Sequence, residues 1–192
     1  MDSNYLTNPL IFLIGTASSL YILAVMLRFL LQTVRADFLN PISQFLVRAT
    51  SPVLNPLRRA IPSVSGVDTA SLVLMLILQL VALYLIFLLA YGQQPPLGPL
   101  TLASVGRLIG LVLNLYTVLI LVGVIISWVN PTATHPGLNL LHQLVGPVLR
   151  PIRSSLPDMG GIDLSPLVAL VLIHVVRMLT VYPLEAQLPL PI

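Results

Sequence analysis

"SPVLNPLRRAIPSVSGVDTASLV" occupies residues 51–73, and "GPVLRPIRSSLPDMGGIDLSPLV" occupies residues 146–168. Prolines recur at Pro52 and Pro147, Pro56 and Pro151, Pro62 and Pro157. An arginine recurs at Arg58 and Arg153, a glycine at Gly66 and Gly161, and an aspartate at Asp68 and Asp163. The separation is constant, since 147 − 52 = 95 and 163 − 68 = 95. The same shift pairs Gly15 with Gly110, Leu20 with Leu115, Tyr21 with Tyr116 and Pro41 with Pro136, and residues 13–87 align with 108–182 without a gap. A repeat of this length governs how every residue inside it is interpreted.

Composition sets the solvent. Hydrophobic residues make up 57% of the chain and charged residues only 8%, against about 25% charged in a soluble domain, so the chain cannot clothe a water-facing surface. Mean hydropathy is +0.99. A bilayer is the expected environment. Four stretches reach the roughly 20 apolar residues that a spanning helix needs: residues 10–31, 69–91, 105–128 and 164–182. The first reads as a retained span rather than a signal peptide, because its leading segment holds an acidic and no basic residue. With no cysteine, disulfides and thiolate metal sites are excluded. No soluble basic face is available for nucleic acid, so none is expected as a direct partner.

The expected fold class is an all-α integral membrane protein with four transmembrane helices in two parallel repeats. Residues 8–92 form the first repeat, 93–104 a linker and 105–184 the second. Two spans per copy return the chain to its starting side, so a pseudo-twofold axis along the membrane normal is expected. All nine basic residues are arginines; seven (Arg28, Arg35, Arg48, Arg58, Arg59, Arg150 and Arg153) lie toward the connectors, and two (Arg107 and Arg177) toward the other side. The positive-inside rule then predicts cytoplasmic connectors with both termini and the linker outside, in a bacterial inner membrane. Prolines 95, 96 and 99 argue against a continuous helix through the linker.

Each connector reads as short amphipathic helices lying in the inner headgroup region. Asn40-Pro41 is an N-cap followed by proline at the first helical position. Ile42, Phe45, Leu46 and Ala49 then form an apolar side, with Ser43, Gln44 and Arg48 opposite. Pro52 and Pro56, like Pro147 and Pro151, are expected to divide the segment into helices that cannot merge.

The run "RFLLQTVRADFLNP…TSPVLNPLRRAIP…GVD", echoed by "ISWVNP…GPVLRPIRSSLP…GGIDLSP", resembles the YggT family of small bacterial inner-membrane proteins, over nearly the whole chain. The resemblance implies a loosely characterised membrane protein connected to osmotic tolerance. It also brings in photosynthetic relatives linked to c-type haem maturation, nucleoid arrangement and division-related organisation. Those relatives often carry one copy, which implies that single-copy members dimerise. The second copy departs from the pattern: Asn130 replaces Arg35 and Thr132 replaces Asp37.

Candidate residues divide into three groups. Asp68 and Asp163 stand where a carboxylate can cap a helix, and Arg58 and Arg153, ten residues earlier, suit either a tether to those aspartates or a lipid phosphate, the latter favoured. Arg59 suits a headgroup or a topology signal. Tyr21, Gln79, Tyr116 and His174 are intramembrane polar groups, read first as interhelical hydrogen-bonding residues. Gly106 and Gly110 form G-x-x-x-G, and with Gly15 are expected to pack closely at the shared axis. Haem ligation by His174 and a metal site at His135 and His142 are each weak readings, the latter lacking any carboxylate nearer than Asp158. No cofactor, metal or catalytic constellation is expected. The leading expectation is a non-enzymatic scaffold or assembly protein whose arginine-bearing platform meets anionic lipid headgroups or an unidentified protein. Self-association into a homo-oligomer stays open. The alternative is a small transporter or channel linked to osmotic stress.

Overall fold

Six helices carry the whole described structure: α1 (Asn4–Thr33), α2 (Pro41–Ala60), α3 (Thr69–Tyr91), α4 (Leu97–Val129), α5 (Pro136–Ser155) and α6 (Ser165–Glu185). The computed structural model describes residues 4–64, 66–130, 132, 134–157 and 163–189, with side chains from residue 6. Gly161 and Asp158 lie outside the described residues. α1, α3, α4 and α6 are long and apolar enough to cross a membrane. α1·α2·α3 is followed by α4·α5·α6 in the same order, and the chain is a helical membrane protein of two parallel repeats.

Within each repeat the two spans pack together, α1 on α3 and α4 on α6, and the connector helix crosses their shared end. Gly15 and Gly110 serve these crossings. A Cβ on Gly15 would meet Ile86 Cδ1 at 3.8 Å, and one on Gly110 would meet Val181 Cγ1 at 3.3 Å. Ile86 and Val181 are themselves 95 residues apart (181 − 86 = 95). The expected meeting of Gly15 and Gly110 at a shared axis is therefore replaced by equivalent contacts inside each repeat. Gly106 lies closer still, its added Cβ falling 2.8 Å from Leu184 Cβ.

Between the repeats, α3 packs against α4, while α1 and α6 form no comparable contact among the described residues. The expected twofold relation is thus not closed. Its internal half is made and its reciprocal half is not.

The connector prolines do not divide it. α2 and α5 are each one continuous helix of 20 residues, with Pro52 and Pro56 inside the first and Pro147 and Pro151 inside the second. A spacing of four places both prolines of a helix on one face, and all four are exposed. The carbonyls that lose their donors face outward rather than into a packed core, where the loss would be severe. Asn40 caps α2 as expected, its side chain accepting from Ile42 N–H at 3.0 Å ahead of Pro41. His135 does this for α5, Nδ1 accepting from Gly137 N–H at 3.1 Å. The buried stripe of α2 is Ser43, Leu46, Thr50 and Leu54, whereas Ile42, Phe45 and Val53 are exposed. Leu46 thus leaves the expected apolar side and Ser43 turns inward.

The linker is also shorter than its prolines suggest. α4 starts at Leu97, because Pro99 falls in the first turn where its missing N–H has no intrahelical partner. Thirty-three residues make α4 about 50 Å long at 1.5 Å each, more than the roughly 30 Å hydrocarbon core requires. Gly66, at φ +82°, adopts the left-handed backbone that its turn between α2 and α3 requires.

Candidate functional site

A buried polar node sits where α2 leaves the first repeat's spans. Arg58, in the last turn of α2, bonds the Asp68 carboxylate and donates to Gln32 Oε1 of α1 at 3.1 Å. Asp68 is 5% exposed and caps α3, accepting from the N–H of Ser71 at 3.4 Å and from its hydroxyl. Asp68 caps α3 and tethers Arg58 at once, so the lipid-phosphate contact favoured for Arg58 gives way to the tether. Burial alone pushes the Asp68 carboxyl up, but Arg58 and the Ser71 hydroxyl and N–H outweigh it, leaving it below the ordinary aspartate value.

Beside this pair lies Arg28 of α1, only 6% exposed. Its Nη1 donates to Thr50 Oγ1 at 2.7 Å, Ser51 Oγ at 3.1 Å and Val47 O at 3.4 Å, all on α2. Two guanidiniums thus bind α2 from its middle and its end, against one carboxylate. Sequence reasoning treated Arg28 as a topology signal alone. The available signal was a charge inside an apolar span at a position whose repeat counterpart is Gly123.

In the second repeat Arg153 bonds Asp163, which accepts from Ser165 N–H at 2.9 Å and from its hydroxyl at 2.6 Å. Burial again opposes the charged form, while Ser165 and Arg153 outweigh it and hold Asp163 below the ordinary value. This pair is open to solvent: its side chains are 61% and 39% exposed, against 31% and 5% for Arg58 and Asp68. The counterparts of Thr50 and Ser51 are Val145 and Gly146, and Val145 joins an apolar cluster with Leu141, Ile120 and Ala169. One repeat keeps a polar node and the other an apolar seam.

The remaining predicted residues are dispersed. Arg35 is exposed at φ +53°, ending α1 in a left-handed turn. Asp37 builds the next turn, Oδ1 accepting from Leu39 N–H at 2.8 Å. Its own N–H donates to Gln143 Oε1 at 3.2 Å, and Asn40 Nδ2 donates to Pro136 O at 2.8 Å, so this corner joins the two connectors. Arg48 and Arg59 are exposed and flank a shallow groove with Ser51 and Asn55. Tyr21 and Tyr116 are half-buried. The expected interhelical bond is not made at Tyr21, whose hydroxyl is buried without a partner. Gln79 is buried at 4% exposure whereas its counterpart His174 is exposed. Arg177 donates to Asn114 Oδ1 at 2.6 Å and lies 5.8 Å from the Tyr182 ring centre. No group of potential metal ligands gathers among the described residues.

Comparison with known proteins agrees with this architecture. A Pseudomonas aeruginosa protein, PA0392, is 44% identical over 187 residues, covering 97% of this chain and 95% of the relative. YggT of Escherichia coli is 37% identical over 177 residues, 89% of this chain and 88% of the relative. A chloroplast protein of Arabidopsis thaliana, YlmG homolog protein 2, is 34% identical over 62 residues, 32% of this chain and 24% of the relative. No solved structure matches. The pattern that defines the CCB3/YggT family matches residues 7–89 and again 102–184, one match for each repeat, and the chain belongs to that family.

Proposed function

We propose that this protein is a non-enzymatic membrane scaffold whose two connector helices present an arginine-bearing surface at the cytoplasmic face of the inner membrane. The observation that carries the reading is a division of labour among the arginines of α2. Arg58 is consumed in the bond to Asp68, with Arg28 holding the helix from α1, whereas Arg48 and Arg59 stay exposed on the outer side. Arginines spent on structure fix the helix; arginines left free on a fixed helix make a recognition surface for phosphate oxygens. Exposed Ile42, Phe45 and Val53 on α2 suit contact with the acyl boundary beside those headgroups. Anionic lipid is the partner this chemistry favours, and the positive-inside bias supports the cytoplasmic placement.

The test is lipid retention by the purified full-length protein in bilayer nanodiscs containing phosphatidylglycerol and phosphatidylcholine. Arg48→Gln with Arg59→Gln should lose the preference for the anionic lipid while keeping the parent melting temperature. Unchanged preference in a stable double variant would refute the platform. Salt or proton flux in proteoliposomes of the parent protein would favour a transporter instead.

A further inference from the structure

Among the spanning helices, the repeats meet through a contact that runs one way. Leu80, Leu83, Tyr84 and Phe87 of α3 pack into a cluster with Leu100 and Ala103 of α4. Shifted by 95 positions, the α3 set becomes Val175, Met178, Leu179 and Tyr182 of α6, exposed at 44%, 50%, 72% and 46%. On the other side of the joint, Leu108, Leu111, Val112 and Leu115 of α4 pack into the core of α1 and α3. Their counterparts on α1 are Leu13, Thr16, Ala17 and Leu20, all exposed. The second repeat therefore ends in an empty socket of the kind that the first repeat fills, and the first begins with the matching unused face.

Lipid tails can cover leucine, but they cover polar groups at a cost. Where α3 buries Gln79 against its neighbours, α6 exposes His174, and where α4 places Leu111, α1 exposes Thr16. Thr16 lies on the α1 face whose α4 counterpart packs into the first repeat, and His174 directly precedes Val175, the first of the exposed α6 set. The geometry points to a second copy of this chain docking its α1 against α6, repeating between molecules the α3–α4 contact made within each. Such a contact is heterologous: it closes into a ring if the rotation per step allows, and otherwise continues as an array.

The absence of cysteine makes the joint directly addressable. Leu83 and Ala103 cluster across the internal joint, and their counterparts are Met178 and Asn8 (83 + 95 = 178; 103 − 95 = 8). Full-length Asn8→Cys and Met178→Cys chains, differently tagged, would be reconstituted together in a bilayer and oxidised. Leu83→Cys/Ala103→Cys serves as the reference for a joint known to be closed. The expected result is a covalent dimer carrying both tags, with none from either single variant alone. A dimer formed by Met178→Cys alone would mean a symmetric α6–α6 contact and would overturn the head-to-tail arrangement. No mixed dimer under conditions that oxidise the reference pair would overturn it as well.

Discussion

Arg58 and Asp68 close an ion pair across the corner between α2 and α3, and the aspartate in that pair is also the cap of α3. One carboxylate thus fixes both the start of a spanning helix and the end of the connector before it. Arg153 and Asp163 repeat the bond in the second copy, but in the open.

That difference in exposure predicts unequal costs. Asp68 is buried and Arg58 half-buried, so Asp68→Ala removes a shielded bond and leaves Arg58 bonded to Gln32, whereas exposed pairs contribute only about 0–1 kcal/mol. Asp68→Ala should lower stability in detergent by several times as much as Asp163→Ala. Equal losses, measured by thermal or denaturant unfolding, would mean that the two corners are equivalent despite their burial.

Acid should act through the same group. Asp68 lies below its ordinary value in the folded state, so its stabilising contribution is complete above the unfolded value near 4. It is lost as pH falls through the lower folded value. The melting temperature should therefore drop on acidification below about pH 4, and Asp68→Asn should lower it at neutral pH while flattening the acid limb. An acid limb of the same steepness in Asp68→Asn would assign the loss to other carboxyls.

Arg28 and Thr50 should be energetically coupled. Their bond at 2.7 Å is buried between α1 and α2. Arg28→Met and Thr50→Val should each destabilise, with an interaction energy of about 1–2 kcal/mol in a double-mutant cycle. Simple additivity would show that Ser51 and the Val47 carbonyl suffice to hold the guanidinium.

The helix crossings make a steric prediction. Gly15→Ala adds a methyl at ordinary contact distance from Ile86 Cδ1, 3.8 Å, and should be neutral or stabilising by up to about 1 kcal/mol through helix propensity. Gly106→Ala drives a methyl to 2.8 Å from Leu184 Cβ, so α4 and α6 must separate, at a cost of about 1–3 kcal/mol. Similar melting of the two variants would contradict the tighter α4–α6 crossing.

The four spans, the order of the two copies and the corner residues were legible because each leaves a local or periodic mark. Apolar runs mark the spans, Asn40-Pro41 marks a helix start, and the constant offset ties Arg58 and Asp68 to Arg153 and Asp163. Other features left no such mark. Proline chemistry alone argues for a break at Pro52 and Pro56, but whether the freed carbonyls face outward or into a core depends on packing that no local pattern contains. Arg28 reads as a charge near the end of a span because its partners, Thr50 and Ser51, lie 22 and 23 positions away. The repeat implies a twofold axis, yet equivalence of sequence does not oblige two copies on one chain to make reciprocal contacts. His174 and Gln79, equivalent in position and opposite in exposure, record that difference.

The central claim places α2 and α5 together at the cytoplasmic surface, and a cysteine-free chain allows it to be measured by labelling. Single Arg48→Cys and Gln94→Cys variants would be treated in intact cells with a membrane-impermeant maleimide that passes the outer envelope. The account predicts that Gln94→Cys is labelled at once and Arg48→Cys only after the inner membrane is permeabilised. Labelling of Arg48→Cys in intact cells, with Gln94→Cys protected, would contradict it.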